Sequence, residues 1–124
     1  MTKTIMVADD DPSIRYTLGR ILEAKGYTVK LAYSGKDCMS QIGALKGAVD
    51  LLLLDIMMPE VDGITTFYNV RKVYPSMRVI FISAVQPNED IKEILRGEKQ
   101  VPNLTKPFDY GRLLEAVKQA LGEQ

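Results

Sequence analysis

The feature that most constrains this chain is an alternation. Five short apolar runs, Thr4–Ala8, Tyr27–Ala32, Val49–Leu54, Val79–Ile82 and Val101–Thr105, are each followed by a segment with apolar residues at helical spacing. Ile14, Leu18, Ile21 and Leu22 mark the first such segment, and Ile42 and Leu45 lie in the second. Phe67, Val70, Val73 and Tyr74 carry the third up to Pro75, Ile91, Ile94 and Leu95 the fourth, and Leu113, Leu114, Val117 and Leu121 the last. Local signals punctuate the pattern. Asp11 is placed to cap the first helix, with Pro12 at a position whose missing N–H costs nothing, and Gly26 closes that helix. Ser34 with Asp37 three residues on reads as a capping box. Pro59 and Gly63 mark a loop, while Asn88 and Gly97 bracket the short fourth helix.

Strand and helix in strict alternation predict an α/β fold around a five-stranded parallel sheet. Val49–Leu54 is apolar on both faces, as a strand covered by helices on either side must be. Right-handed crossovers leave few topologies, of which the flavodoxin-like three-layer sandwich with strand order 2-1-3-4-5 is the expected one. Pro102 sits in the fifth run, and proline suits an edge strand, where that order puts it. No repeat or linker interrupts the 124 residues, so residues 1–124 are expected to form one domain.

What ends each run is more telling. Asp9 and Asp10 follow the first, Asp55 the third, Ser83 the fourth and Lys106 the fifth. In a parallel sheet these ends share one edge, and ligands bind there where the strand order reverses, between strands one and three. Each residue alone has an ordinary explanation: aspartate as a turn former, Ser83 as a strand-end hydroxyl, Lys106 as a solvated lysine. Asp62-Gly63 is read as turn chemistry, and Cys38 as a small core residue. Together, three carboxylates at one edge need a positive partner. Lys106 offers one charge, and a hard divalent cation with oxygen ligands offers two. A carboxylate so placed can act as nucleophile toward phosphorus.

Composition closes other routes. There is no histidine, which excludes His-based triads, His-ligated metals and self-contained phosphohistidine chemistry. Sixteen basic residues balance sixteen acidic ones, so no net field draws nucleic acid or an anionic membrane. No uninterrupted apolar run, Leu51–Leu54 included, exceeds four residues, too short to span a bilayer, no long apolar leader is present, and the single cysteine fits a reducing compartment. A cytoplasmic location is expected.

Five segments resemble the receiver domains of two-component response regulators: Ile5-Met6-Val7-Ala8-Asp9-Asp10-Asp11, Leu54-Asp55-Ile56-Met57-Met58-Pro59, Val61-Asp62-Gly63, Phe81-Ile82-Ser83-Ala84 and Leu104-Thr105-Lys106-Pro107-Phe108. The resemblance covers essentially the whole chain. It implies that Asp55 accepts a phosphoryl group from a sensor histidine kinase or histidine phosphotransfer protein and that the domain then switches conformation to control an output partner or effector domain. It implies Mg2+, or alternatively Mn2+, held by Asp10, Asp55, the Met57 backbone carbonyl and, through water, Asp9. Ser83 and Lys106 would bind the phosphoryl group, helped by the Ala84 N–H, and the Lys106-Pro107 bond would be cis. The donor would dock on the first helix at Ser13, Ile14, Arg15 and Leu18, and homodimer formation is compatible with the family. Such a protein is a switch that catalyses its own phosphorylation and dephosphorylation, not a turnover enzyme.

The chain also departs from the family pattern. Asn103 stands where many receivers carry a reorienting aromatic residue, and Arg96-Gly97-Glu98-Lys99-Gln100 lacks the usual small-residue pattern. Met57 and Val85 are apolar where side chains can orient the water that removes the phosphoryl group, which implies a long-lived phosphoryl state. Competing readings are a pseudo-receiver that never takes phosphate, a phosphohydrolase with an aspartate nucleophile, and a flavin carrier. The second normally needs an aspartate where Met57 stands, and the acidic Asp9–Ser13 loop disfavours the third.

Overall fold

The computed structural model describes residues 2–58, 62–83, 89, 92–93, 102–106 and 109–123. Strands β1 (Thr4–Ala8), β2 (Thr28–Ala32), β3 (Leu51–Asp55), β4 (Arg78–Ser83) and β5 (Asn103–Thr105) form one parallel sheet in the order β2-β1-β3-β4-β5. Helices α1 (Pro12–Ala24), α2 (Gly35–Ala44), α3 (Gly63–Val73) and α4 (Tyr110–Ala120) complete the described elements. The expected fourth helix, Ala84, Val85 and Pro107 lie outside the described residues, apart from Glu89, Lys92 and Glu93, which are helical.

Strand periodicity of two sorts the core into two layers. On one face Met6, Ala8, Leu52, Leu54, Val79 and Phe81 pack with Cys38 and Ile42 of α2 and Phe67 and Val70 of α3. On the other, Ile5, Val7, Leu51, Leu53, Ile80 and Ile82 meet Leu18 and Leu22 of α1 and Leu113 and Val117 of α4. β3 is buried along its full length because both layers close over it. Cys38 sits in this core, and burial, reinforced by the charge of Asp37, pushes its thiol up to about 12. It is a packing residue, as read from the sequence.

The helix starts follow the local signals with one change. The Asp11 carboxylate accepts the Ser13 N–H, with Pro12 in the first turn, and Gly26 takes the positive φ that ends the α1 turn. At α2, Ser34 Oγ accepts the Asp37 N–H at 3.0 Å, as a capping box requires. The return bond lands one residue early: Asp37 Oδ2 accepts the Tyr33 N–H at 3.2 Å. Asp62 caps α3 by accepting the Thr65 N–H at 2.8 Å, which confirms its turn role. The second, third and fifth strands start later than the apolar runs: the Tyr27 N–H donates to the Leu22 carbonyl and the Val49 N–H to the Gly47 carbonyl, off the sheet, and Pro102 has no N–H to give. The Pro102 carbonyl nonetheless accepts the Phe81 N–H at 2.9 Å, a role that needs no donor from proline.

Candidate phosphoryl and metal site

Parallel pairing brings the four run-ending positions to one edge. β1 and β3 are neighbours, so Ala8 pairs with Leu54 and the following residues, Asp9 and Asp55, come side by side. β4 flanks β3, with Asp55 opposite Ile82, and β5 flanks β4, with Ser83 opposite Thr105 just before Lys106. Asp9, Asp55 and Ser83 are buried, Lys106 is half-buried, and Asp10 is exposed. One carboxylate oxygen from each of Asp9, Asp10 and Asp55 lies within 4.8 Å of the others.

Lysine enters this acidic group from β5. Lys106 Nζ is 2.7 Å from Asp9 Oδ2 and 3.6 Å from Asp55 Oδ2. It is therefore hydrogen-bonded to Asp9 and ion-paired, at longer range, with Asp55. The other Asp9 oxygen, Oδ1, accepts the Asp11 N–H at 2.9 Å, so both its carboxylate oxygens are engaged. Asp55 Oδ1 accepts the Met57 N–H at 3.2 Å. Burial, then the charge of Asp9, pushes the Asp55 carboxyl from 3.8 up to about 7, with Lys106 and the Met57 N–H pulling the other way. Burial alone would lower the Lys106 pKa, but its hydrogen bond to Asp9 and the charges of Asp55 and Asp9 outweigh it, so the ammonium is held more firmly.

This donor set fits a hard divalent cation: oxygen ligands only, an exposed carboxylate at the mouth, and a buried one whose pKa is raised by burial and by the charge of Asp9. Asp10 has the open approach that direct ligation needs.

Gly63 makes the β3–α3 approach possible. Its N–H donates to the Ile56 carbonyl at 2.9 Å, and a Cβ built there would stand 2.2 Å from the Asp55 carbonyl oxygen and 2.6 Å from Ile56 Cα. The sequence flagged Gly63 as punctuation only. Its second meaning, that α3 rests directly on the backbone of Asp55, has no local signal. Sequence reading also missed how Arg15 is used: its Nη1 donates to the Asp9 carbonyl at 2.7 Å.

Asn103 is the departure with a structural signature. Among the described residues its buried Oδ1 finds no hydrogen-bond partner. An orphan acceptor costs about 1–3 kcal/mol and asparagine is a poor strand former. Asn103→Val is expected to raise stability by about 1 kcal/mol, read as a higher urea midpoint at unchanged slope. A lower midpoint would show that the amide is bonded in solution.

Residues 5–118 match the family described as "Response regulator receiver domain". The chemotaxis protein CheY of Treponema pallidum (strain Nichols) is 33% identical over 119 residues, covering 94% of this chain and 81% of CheY. The transcriptional regulatory protein ZraR of Salmonella typhimurium is 36% identical over 117 residues, covering 94% of this chain and 26% of ZraR. Against longer curated relatives the chain thus spans only a fraction of their length, 13% for one and 26% for another. Among solved structures, the CheX-CheY-BeF3-Mg+2 complex of Borrelia burgdorferi matches with TM-score 0.85 and 27% identity, covering 94% of this chain and 87% of that one. The chain belongs to the receiver domains of two-component response regulators, a family of signalling switches whose general function is to accept a phosphoryl group. No helix among the described residues is long and apolar enough to cross a membrane.

Proposed function

We propose that residues 1–124 act as one receiver domain that takes a phosphoryl group onto Asp55 from a sensor histidine kinase or a histidine phosphotransfer protein. The observation that carries this reading is the clustering of Asp9, Asp10 and Asp55 oxygens within 4.8 Å, with Lys106 Nζ bonded to Asp9 beside them. In the transfer, an Asp55 carboxylate oxygen forms the new O–P bond while the P–N bond to the donor imidazole breaks, its electron pair leaving with the imidazole. Asp10, Asp55 and the Met57 carbonyl would hold Mg2+ (or Mn2+) directly. Asp9, whose two oxygens already serve the Asp11 N–H and Lys106, would act through water. A bound divalent ion supplies charge neutralisation for the phosphoryl oxygens.

The chain's own groups do the rest. Lys106 lies close enough to Asp55 for a modest swing to turn its ammonium from Asp9 to a phosphoryl oxygen. Ser83, buried at the end of β4, offers a hydroxyl to the same group. A ligand that favours one of two conformations shifts their populations, and the phosphoryl group acts here in that way on an output partner or effector domain. The donor chemistry sets the reaction in the cytoplasm, and the balanced charge favours a protein partner over nucleic acid.

The test is incubation with Mg2+ and a small phosphodonor, followed by peptide mapping. Added mass on the Asp55 peptide supports the reading; none, in protein that binds Mg2+, overturns it. The BeF3 and Mg2+ found with the Borrelia relative make a second probe. A further expectation concerns lifetime. The Met57 side chain is 60% exposed at the mouth of the site and offers no hydrogen bond to an attacking water. Met57→Asn is expected to hasten phosphate loss by up to about tenfold, the worth of one hydrogen bond. Equal decay in both proteins would remove Met57 from the account.

A further inference from the structure

Asp9 is held at every polar atom. Its N–H donates to the Ala32 carbonyl at 3.1 Å, Oδ1 accepts from Asp11, Oδ2 from Lys106, and its carbonyl oxygen accepts from Arg15 Nη1 at 2.7 Å. The last bond reaches beyond Asp9. The Asp9 carbonyl and the Asp10 N–H belong to one planar peptide, so holding the carbonyl fixes the plane from which Asp10 departs. Asp10 is exposed, and among the described residues nothing else holds its carboxylate. Arg15 closes the loop twice, since its own N–H donates to the Asp11 carbonyl at 3.0 Å.

We propose that Arg15 is a positioning residue for the cation site: by clamping the Asp9–Asp10 peptide from the first turn of α1, it keeps the Asp10 carboxylate within reach of Asp55. The inference rests on the metal-binding reading above. The chemistry suits the task. A guanidinium keeps its charge at every working pH and has no lone pair to offer a metal. It bonds here to a main-chain carbonyl, so it takes up no carboxylate oxygen that a cation could use. This role is separate from the donor-docking contact that the resemblance assigns to Arg15 itself, which a small phosphodonor does not use.

The experiment is calorimetric titration of Mg2+ into wild type, Arg15→Met and Arg15→Lys, with urea unfolding of each in chelator. Methionine keeps the apolar stem and removes the donor. Loss of such an outer-layer partner typically weakens metal binding by about tenfold or more. Arg15→Met should show that drop together with a lowered metal-free urea midpoint, since the buried Asp9 carbonyl loses its donor, while still folded at zero urea, and Arg15→Lys should recover part of both. Phosphorylation of Arg15→Met by a small phosphodonor should be slow at low Mg2+ and normal at saturating Mg2+. Equal Mg2+ affinity in wild type and Arg15→Met overturns the proposal, as does a phosphorylation defect that saturating Mg2+ fails to repair. If wild type itself binds no Mg2+, the metal-binding reading fails first, and the two failures are told apart by that measurement.

Discussion

Asp55→Asn is expected to abolish phosphoryl acceptance, leaving no added mass at residue 55, while the metal-free protein becomes more stable near neutral pH. The first half follows from chemistry: an amide oxygen is a far poorer nucleophile than a carboxylate, and the other buried carboxylate at the edge, Asp9, has both oxygens engaged by the Asp11 N–H and Lys106. The second half follows from electrostatics. Asp55 is 3% exposed, and burial together with Asp9 raises its carboxyl to about 7. The folded state thus binds this proton more tightly than the unfolded chain, whose carboxyl titrates near 3.8. By linkage, metal-free wild type loses stability as pH rises from about 4 to about 7. Asp55→Asn removes the group and with it this slope. Mg2+ reverses the comparison, since a ligand of the native state stabilises it by mass action and the wild-type carboxylate is the better ligand. Urea midpoints across this pH range, with chelator and with Mg2+, check both signs. A wild type whose metal-free stability does not fall toward pH 7 would mean that Asp55 is better solvated than its burial implies.

Gly63→Ala is expected to be the most damaging single methyl in the described structure. The added Cβ would sit 2.2 Å from the Asp55 carbonyl oxygen and 2.6 Å from Ile56 Cα, contacts with backbone that no rotamer change can relieve. Either α3 lifts from the sheet or the β3 end is displaced, and a forced overlap of this kind costs about 3 kcal/mol or more. Because the displaced atoms belong to Asp55 itself, Mg2+ binding and phosphorylation should fall along with stability. Gly43→Ala is the control. That glycine is exposed in α2 with nothing within 4 Å of the added methyl. There alanine should stabilise by about 0.5–1 kcal/mol, by removing backbone entropy from the unfolded chain. Opposite signs for one chemical change would confirm the close approach at Gly63. A loss at Gly63 no larger than about 1 kcal/mol would mean that α3 yields easily.

The residue order settled a good deal of this before any coordinates. Alternation of apolar runs and helical periods specified strands and helices, because hydrogen bonding and face burial repeat with short periods that a sequence displays directly, whereas the strand order was one expected topology among a few, which the sheet adopts. The same logic brought Asp9, Asp55, Ser83 and Lys106 to one edge, since parallel strands share their carboxyl ends. Caps at Asp11 and Ser34 were equally legible, being contacts within three residues.

What only the folded chain decided are approaches through space. The choice of Lys106 for Asp9 over Asp55 depends on the path of the residues after β5 and the reach of one flexible side chain. The contact of Gly63 with the Asp55 backbone depends on how steeply α3 leaves the sheet, and the Arg15 clamp on how the β1–α1 loop folds back. None of these has a period. Each is fixed by the packing of elements whose separation in sequence says nothing about a tenth of a nanometre, and at that scale sterics and hydrogen bonding make or break the site.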